Sequence, residues 1–262
     1  MTAIEQGYLV SHIHDSCEFL YLQQGEVEVQ AGGKHFLLRP QHLLIVSRLE
    51  VHMLTPLQFP YTRIGLNIDY NALGRIGIPP YLFSVMMNHK KGSCHLFDVR
   101  NNPEIGRLME DICREEAEER PEKQEMLGVL LHTLLLHLYR LKPEQFQAGS
   151  SDALMEEARQ YIINHFADCS SVQEMAAGYY LTPSHFILRF KKHTGYTPQK
   201  YRKLCRMAHA RNLLLEDKLE LSEIAERCGF SDVNGFVRCF RETMNITPGR
   251  FRTLSKSKNV EM

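Results

Sequence analysis

Nowhere does the 262-residue chain stay apolar for the ~18 consecutive residues that a membrane span requires. Its opening stretch, MTAIEQGYLVSHIHDSCEF, lacks the basic and apolar regions of a secretion signal. Both absences lead to the expectation of a cytosolic protein with no membrane partner. No C-x-x-C pair occurs either. The seven cysteines, Cys17, Cys94, Cys113, Cys169, Cys205, Cys228 and Cys239, are odd in number and scattered, which argues for reduced, mostly buried thiols rather than a zinc cluster or redox pair. Net charge is also missing, since 31 Lys+Arg balance 31 Asp+Glu. That balance conceals an asymmetry: residues 1–151 hold 14 basic against 18 acidic side chains, or −4, whereas residues 152–262 hold 17 against 13, or +4. Within residues 183–252 the count is 14 against 7. An acidic half joined to a basic half implies that only one of them meets a polyanion.

With 44% hydrophobic residues, the chain can bury a sizeable core and is long enough for two ordinary domains. From Tyr8 to about Ile68 it reads as short apolar runs broken by turn residues, as in FLYLQQGEVEVQAGGKHFLLRPQHLLIV. Glu26-Val27-Glu28-Val29 alternates with period two, and Gly25 and Gly32-Gly33 are expected to break the strands; runs at this spacing suggest a barrel or sandwich. From about Pro103 the pattern turns helical, and after Pro121 Leu127, Leu131, Leu134, Leu138 and Leu141 form a narrow apolar seam. The seam fits either dimerisation or packing on the barrel. KPEQFQAGSSD, residues 142–152, is polar and aperiodic, and reads as a linker.

The strongest feature is an internal repeat at an offset of 50 residues, pairing SHFILRFKKHTGYTPQKYR (184–202) with NGFVRCFRETMNITPGRFR (234–252). Phe186 matches Phe236, Phe190 matches Phe240, Thr197-Pro198 matches Thr247-Pro248, and Tyr201-Arg202 matches Phe251-Arg252. Upstream, Glu174-Met175-Ala176 matches Glu223-Ile224-Ala225 at an offset of 49, so each repeat is a short helix, a turn and a second helix, with one turn a residue longer. Ser171 and Glu174 have capping-box spacing, and Thr182 before Pro183 starts the next helix. Gly229 suits a left-handed interhelical turn, and Tyr180 at the matching place implies a turn built differently. Each phenylalanine pair should face a core. Solvent stripes then carry His185, Arg189 and Lys192 in the first repeat, and Asn234 and Arg238 on what reads as the corresponding face of the second. Arginine donating twice to guanine and asparagine making a two-point contact with adenine suit these residues to the major groove. A long helix near residues 198–215 spans the gap between the repeats, holding both against one face of double-stranded DNA.

Residues from about 154 to 252 resemble the DNA-binding domain of the AraC/XylS family, with EIAERCGFSDVNGFVRCFRETMNITPGRFR as the diagnostic stretch. That resemblance implies base-facing positions at Ser184, Ile187 and Leu188, and at Val233, Asn234, Val237 and Arg238. The chain departs from the family at Leu188, where arginine is frequent, and at Asn245, where glycine is usual; asparagine tolerates positive φ.

In the first half, GYLVSHIHDSCEFLYLQQG resembles the first cupin motif, with His12, His14 and Glu18, and His52 follows after a strand pattern. In metal-binding cupins the matching set holds one ion, because alternate strand positions point into one cavity. The second motif is poor, carrying His42 after Pro40-Gln41. AraC-family sensor domains also keep such a histidine-rich start without being known as enzymes. We therefore take His12, His14, Glu18 and His52 as effector ligands or structural polar residues, or as a metal set if any metal is bound, with Tyr21 and Arg63 beside them. His35, His42, His89 and His95 read as surface or satisfied residues.

The expectation is an α+β chain: a cupin-like β-barrel sensor with two helices (1–141), a linker (142–152), and an all-α DNA-binding domain of two helix-turn-helix units joined by a long helix (153–262). Its function is that of a transcription regulator, an activator answering to a metabolite such as a sugar. Its partners are DNA, that effector, RNA polymerase and, through the seam, a second copy; no cofactor is needed. The alternatives are a metal-dependent cupin enzyme with an accessory helical domain, and a DNA-binding protein indifferent to metabolites.

Overall fold

The computed structural model describes residues 2–3, 11–68, 78–87, 95–142, 152–168 and 170–256. The described residues form two compact bodies, one built on residues 2–3, 16–68, 78–87 and 95–142 and the other on residues 11–15, 152–168 and 170–256. Of the expected linker, only Lys142 and Asp152 lie among the described residues.

The period-two apolar pattern of the first body produces one antiparallel sheet. Its strands are β1 (Thr2–Ala3), β2 (Cys17–Ala31), β3 (Lys34–Leu38), β4 (His42–Val46), β5 (His52–Ile68) and β6 (His95–Asp98). They lie in the order β1-β5-β2-β4-β6, with β3 paired to β2. The long strand β2 runs against β5 throughout, while its other edge takes β4 opposite Glu18–Tyr21 and β3 opposite Val27–Ala31. The result is a curled half-barrel rather than a closed barrel. Gly32 and Gly33, with φ of 59° and 77°, make the two-residue turn between β2 and β3. Gly25 does not break the strand. It sits where the β2–β5 register shifts, with φ 87°, and a Cβ there would lie 2.6 Å from the Gln58 carbonyl. The irregularity exchanges the faces of the strand: before it Leu20 and Leu22 point into one core, and after it Val27, Val29 and Ala31 do. One inserted residue is sufficient for this, because side chains alternate with period two.

Cys17, Phe19 and Tyr21 point the other way, towards the helices. A 3₁₀ turn (Pro80–Leu82) leads into α1 (Phe83–Met87), followed after β6 by α2 (Pro103–Ala117) and α3 (Lys123–Leu141). The leucine seam of α3 belongs to this core: Leu131, Leu134 and Leu138 are buried with Phe19, Leu43, Ile45 and Phe97, and Leu127 and Leu141 pack at its margin. Of the two uses open to the seam, packing on the sheet is the observed one. The apolar residues α3 leaves exposed are Met126 and Val129.

The second body is helical: α4 (Ala153–Asn164), α5 (Val172–Gly178), α6 (Pro183–Thr194), α7 (Pro198–Glu216), α8 (Leu221–Arg227), α9 (Val233–Met244) and α10 (Pro248–Lys256). Ser171 and Glu174 close the expected capping box on α5. The Thr182 hydroxyl accepts from the His185 amide at 3.3 Å, with Pro183 in the first turn of α6. The repeat extends to the core. Phe186 and Phe190 are fully buried, and Phe190 meets Tyr201 edge-on at 5.6 Å; Phe236 and Phe240 are likewise buried, and Phe240 meets Phe251 edge-on at 5.7 Å.

The two interhelical turns are the same turn, contrary to the expectation from Tyr180. Tyr180 and Gly229 both adopt left-handed backbone, φ 55° and 74°. Their amides donate to Ala177 and Glu226, and the next amides, Leu181 and Phe230, donate to Ala176 and Ala225. The extra residue of the second repeat is Ser231, which lies beyond the turn. At Tyr180 the strained conformation brings no packing clash with it, because the residue is 97% exposed. Gly229 has no such freedom, since a Cβ would stand 2.2 Å from the Ala167 carbonyl oxygen. Asn245 and Gly195 make a further matched pair of left-handed helix ends, φ 58° and 78°. Gly229→Ala should therefore cost about 2–4 kcal/mol, combining backbone strain with overpacking. Tyr180→Gly should change stability by less than about 1 kcal/mol, because relief of strain and the added freedom of glycine oppose each other. Urea unfolding of both variants checks the contrast.

Candidate nucleic-acid interface and effector site

Because each second helix turns its phenylalanine pair inward, the opposite stripe is what it can offer. On α6 this stripe comprises exposed Ser184, Leu188 and Lys191 beside half-buried Ile187. On α9 it comprises exposed Asn234, Arg238 and Arg241 beside half-buried Val237, with Val233 half-buried in the first turn. Exposed His185 and Lys192 flank the α6 stripe. The grouping of Arg189 with Arg238 needs correction. Leu188 occupies the place of Arg238, and Arg189 occupies that of half-buried Cys239.

Arg189 also has a partner that lies far away in sequence. Its Nε donates to Asp152 Oδ2 at 2.9 Å and its Nη2 to Oδ1 at 2.7 Å. Asp152 is at the same time the N-cap of α4, accepting from the Met155 amide. One turn on, Glu156 accepts from His193 Nε2 at 3.0 Å and pairs with Arg159, whose Nη1 donates to the Tyr201 hydroxyl at 3.4 Å. Further cations tie down loop carbonyls. Arg202 and Arg206 both donate to the Phe166 and Ala167 carbonyls, and Arg252 donates to Leu219 and pairs with Asp217. Part of the basic excess is thus internal. Sequence reasoning missed this because a side chain that neutralises a carbonyl 35 or 40 residues away leaves no local pattern.

In the first body, Glu18 shares a strand face with Leu20 and Leu22, His52 shares one with Leu54, and Arg63 stands opposite Leu22 in the register. Parity therefore gathers the three, within a mainly apolar core. His52 Nε2 lies 2.9 Å from Glu18 Oε2, and Arg63 Nη1 donates to Glu18 Oε1 at 3.4 Å. His52 Nδ1 lies 2.9 Å from the Glu50 carbonyl. A carbonyl only accepts, so Nδ1 carries a hydrogen and Nε2 is the nitrogen aimed at Glu18. His12 and His14 have ring centroids 6.0 Å apart. Imidazole and carboxylate donors of this kind suit either a divalent transition ion or the hydroxyls of a polar ligand, and an Nδ1–H held by a carbonyl is the orientation a ligating histidine takes. Tyr21, expected beside the histidines, points to the opposite face, where the missing side chain of Gly106 makes room for its hydroxyl. His35 pairs with Glu28, and His42 Nδ1 accepts from the Arg39 amide. His95 lies on β6, and His89 lies outside the described residues.

Cys17, Cys113, Cys205, Cys228 and Cys239 form no disulfide, and burial pushes the Cys228 thiol up to about 12. Cys94 and Cys169 lie outside the described residues. No described helix is long and apolar enough to cross a membrane.

A curled sheet with a polar group in its core and a helical body of two helix-turn-helix repeats make up the chain. Residues 2–135 match the AraC-like ligand binding domain, and residues 175–253 match a helix-turn-helix domain. The chain belongs to the AraC family of transcriptional regulators. It is 30% identical over 164 residues to the uncharacterized HTH-type transcriptional regulator YijO of Escherichia coli K12 (62% of this chain, 58% of the relative). It is 33% identical over 123 residues to the HTH-type transcriptional activator RhaS of Salmonella newport (47% and 44%). The chain thus spans about half the length of the curated relatives it matches. Its fold is similar to that of ToxT from Vibrio cholerae, with a TM-score of 0.70 at 12% identity over 97% of this chain and 95% of that one.

The acidic anchors of α4 predict how this body responds to acid. Burial alone would raise Glu156, but hydrogen bonds from His193 and Arg159 hold its carboxyl well below the usual range. The Arg189 guanidinium holds Asp152 low as well. A depressed carboxylate contributes stability that is complete above its unfolded value and lost as pH falls through its folded one. Stability of the helical body should therefore decline from about pH 4–5 downwards. Asp152→Asn and Glu156→Gln should each lower stability at pH 7 and flatten that decline, as measured by urea unfolding across pH.

Proposed function

We propose that this chain is a sequence-specific transcription regulator of the activator type, cytoplasmic, whose residues 1–141 bind a small metabolite and whose residues 153–262 bind double-stranded DNA. The carrying observation is the pair of matched helices, α6 and α9, which share caps, turns and aromatic anchors and leave the same stripe exposed. Ser184, Ile187 and Leu188 on α6, and Val233, Asn234, Val237 and Arg238 on α9, are assigned to base edges; His185 and Lys192 are assigned to the phosphate backbone. Arg189 acts through Asp152.

The effector is assigned to His12, His14, Glu18 and His52 with Arg63, and a sugar or related polyol fits that donor set. Differential affinity of the effector for two arrangements of the sensor would shift DNA occupancy or contact with RNA polymerase. A homodimer through α3 would use the side of Met126 and Val129, since the leucine seam is in the core.

Arg238→Ala should cost about 1–3 kcal/mol on the cognate site and relax preference at one base pair. An equal loss on random DNA would make it a phosphate contact instead. Affinity should also fall steeply with salt. DNase footprinting of the region upstream of its own gene, with and without candidate sugars, should show a metabolite-dependent pattern that Glu18→Gln abolishes. Protein purified without chelator should carry no stoichiometric metal; one bound equivalent lost on His52→Ala would reassign the four donors to an ion.

A further inference from the structure

We propose that the two repeats read different base chemistry: the first packs Leu188 and Ile187 on thymine methyl groups, and the second hydrogen-bonds purines through Arg238 and Asn234, with Arg189 a positioning residue. The inference rests on the DNA-reading assignment above and deepens it.

The repeats have the same scaffold to the level of individual hydrogen bonds, so equivalent positions on α6 and α9 face the same way relative to their anchors. At the central position of the stripe the second repeat carries an exposed arginine and the first a leucine that is 67% exposed. The four-residue stripe of α6, Ser184, Ile187, Leu188 and Lys191, holds one cation at its far end; that of α9 holds Arg238 and Arg241. An aliphatic side chain cannot hydrogen-bond a base edge. The major groove offers it one apolar group, the C5-methyl of thymine, whereas guanine O6 and N7 match a guanidinium.

The neighbouring arginine does not take over the task. The Nε–Nη2 edge of Arg189 is engaged by Asp152 at 2.9 and 2.7 Å, which turns the guanidinium towards α4, and the residue stands one place round the helix, level with Cys239. This pair joins α6 to the capped start of α4 and so fixes the angle at which Leu188 is presented. On α9 the carboxylate one turn beyond Arg238, Glu242, is engaged by Lys203 at 3.0 Å. The expected site therefore has one groove segment rich in thymine and one containing guanine.

The test begins with duplexes selected by the full-length protein from a random 30-base-pair library. The segment whose preference relaxes in Arg238→Ala belongs to the second repeat. In the other segment, replacing thymine with uracil removes only the methyl group. Wild-type affinity should then fall about fourfold for each methyl that is packed, Leu188→Ala should bind both duplexes alike, and Leu188→Arg should shift the selected base there towards guanine. Arg189→Gln should weaken all duplexes by a similar factor and leave the selected sequence unchanged. Leu188 is exposed, so its variants keep the core, which a thermal melt verifies. Indifference of the wild type to uracil, or a base preference lost with Arg189, overturns the division between the repeats while leaving DNA reading intact. Failure to enrich any duplex overturns both.

Discussion

Burial of one aromatic face on each reading helix is the constraint from which the helical body follows. Phe186 and Phe190 on α6, and Phe236 and Phe240 on α9, are removed from water completely and closed by Tyr201 and Phe251 from the helices that follow. Each such side chain contributes about 1.5–3 kcal/mol by leaving water. Rotation of either helix about its axis would forfeit most of that. A twelve-residue helix held on one face has a single opposite stripe to offer, and repetition of the anchor presents two such stripes on one scaffold. The left-handed turns at Tyr180 and Gly229 and the helix ends at Gly195 and Asn245 serve this placement, since they set where each reading helix starts and stops.

That constraint changes what the basic count means. An excess of arginine and lysine is an electrostatic footprint only when the side chains reach solvent. In this body Arg159 is buried against Glu156 and Tyr201, Arg202 and Arg206 neutralise the carbonyls at the end of α4, and Arg252 does the same for the loop after α7. Burying such carbonyls unpaired would cost about 1–3 kcal/mol each. Arginine answers that need with several donors on one planar head. Exposed cations remain on the two stripes, at Lys191, Arg238 and Arg241, and elsewhere on this body, as at Arg227 and Arg250.

In the sheet body the controlling element is the irregularity around Gly25. It lets one strand, β2, feed the same core from even-numbered residues before it and odd-numbered residues after it. Glu18 falls on the even face and Tyr21 on the odd one, so the first joins His52 and Arg63 while the second lies under α2. A carboxylate in that core is stable only with partners; the imidazole and guanidinium supply them, leaving a polar centre among leucines.

Much was legible before any coordinates, and for one reason: it rests on interactions between residues close in the chain. Ser171 with Glu174, Thr182 before Pro183, the helical periods after Pro103 and Pro121, the aromatic pairs four residues apart, and the 50-residue repeat with its family resemblance are all short-range patterns. The half-barrel, the fate of the leucine seam and the arginine partners are not. The pairing of Arg189 with Asp152 across 37 residues, the exchange of strand faces at Gly25, the shared turn at Tyr180 and Gly229, and the convergence on Glu18 depend on which distant segments pack together. Sequence alone determined what each segment was and which chemistry it carried. Tertiary structure decided which side chains face outward, because packing and the satisfaction of buried polar groups are settled only when remote parts of the chain meet.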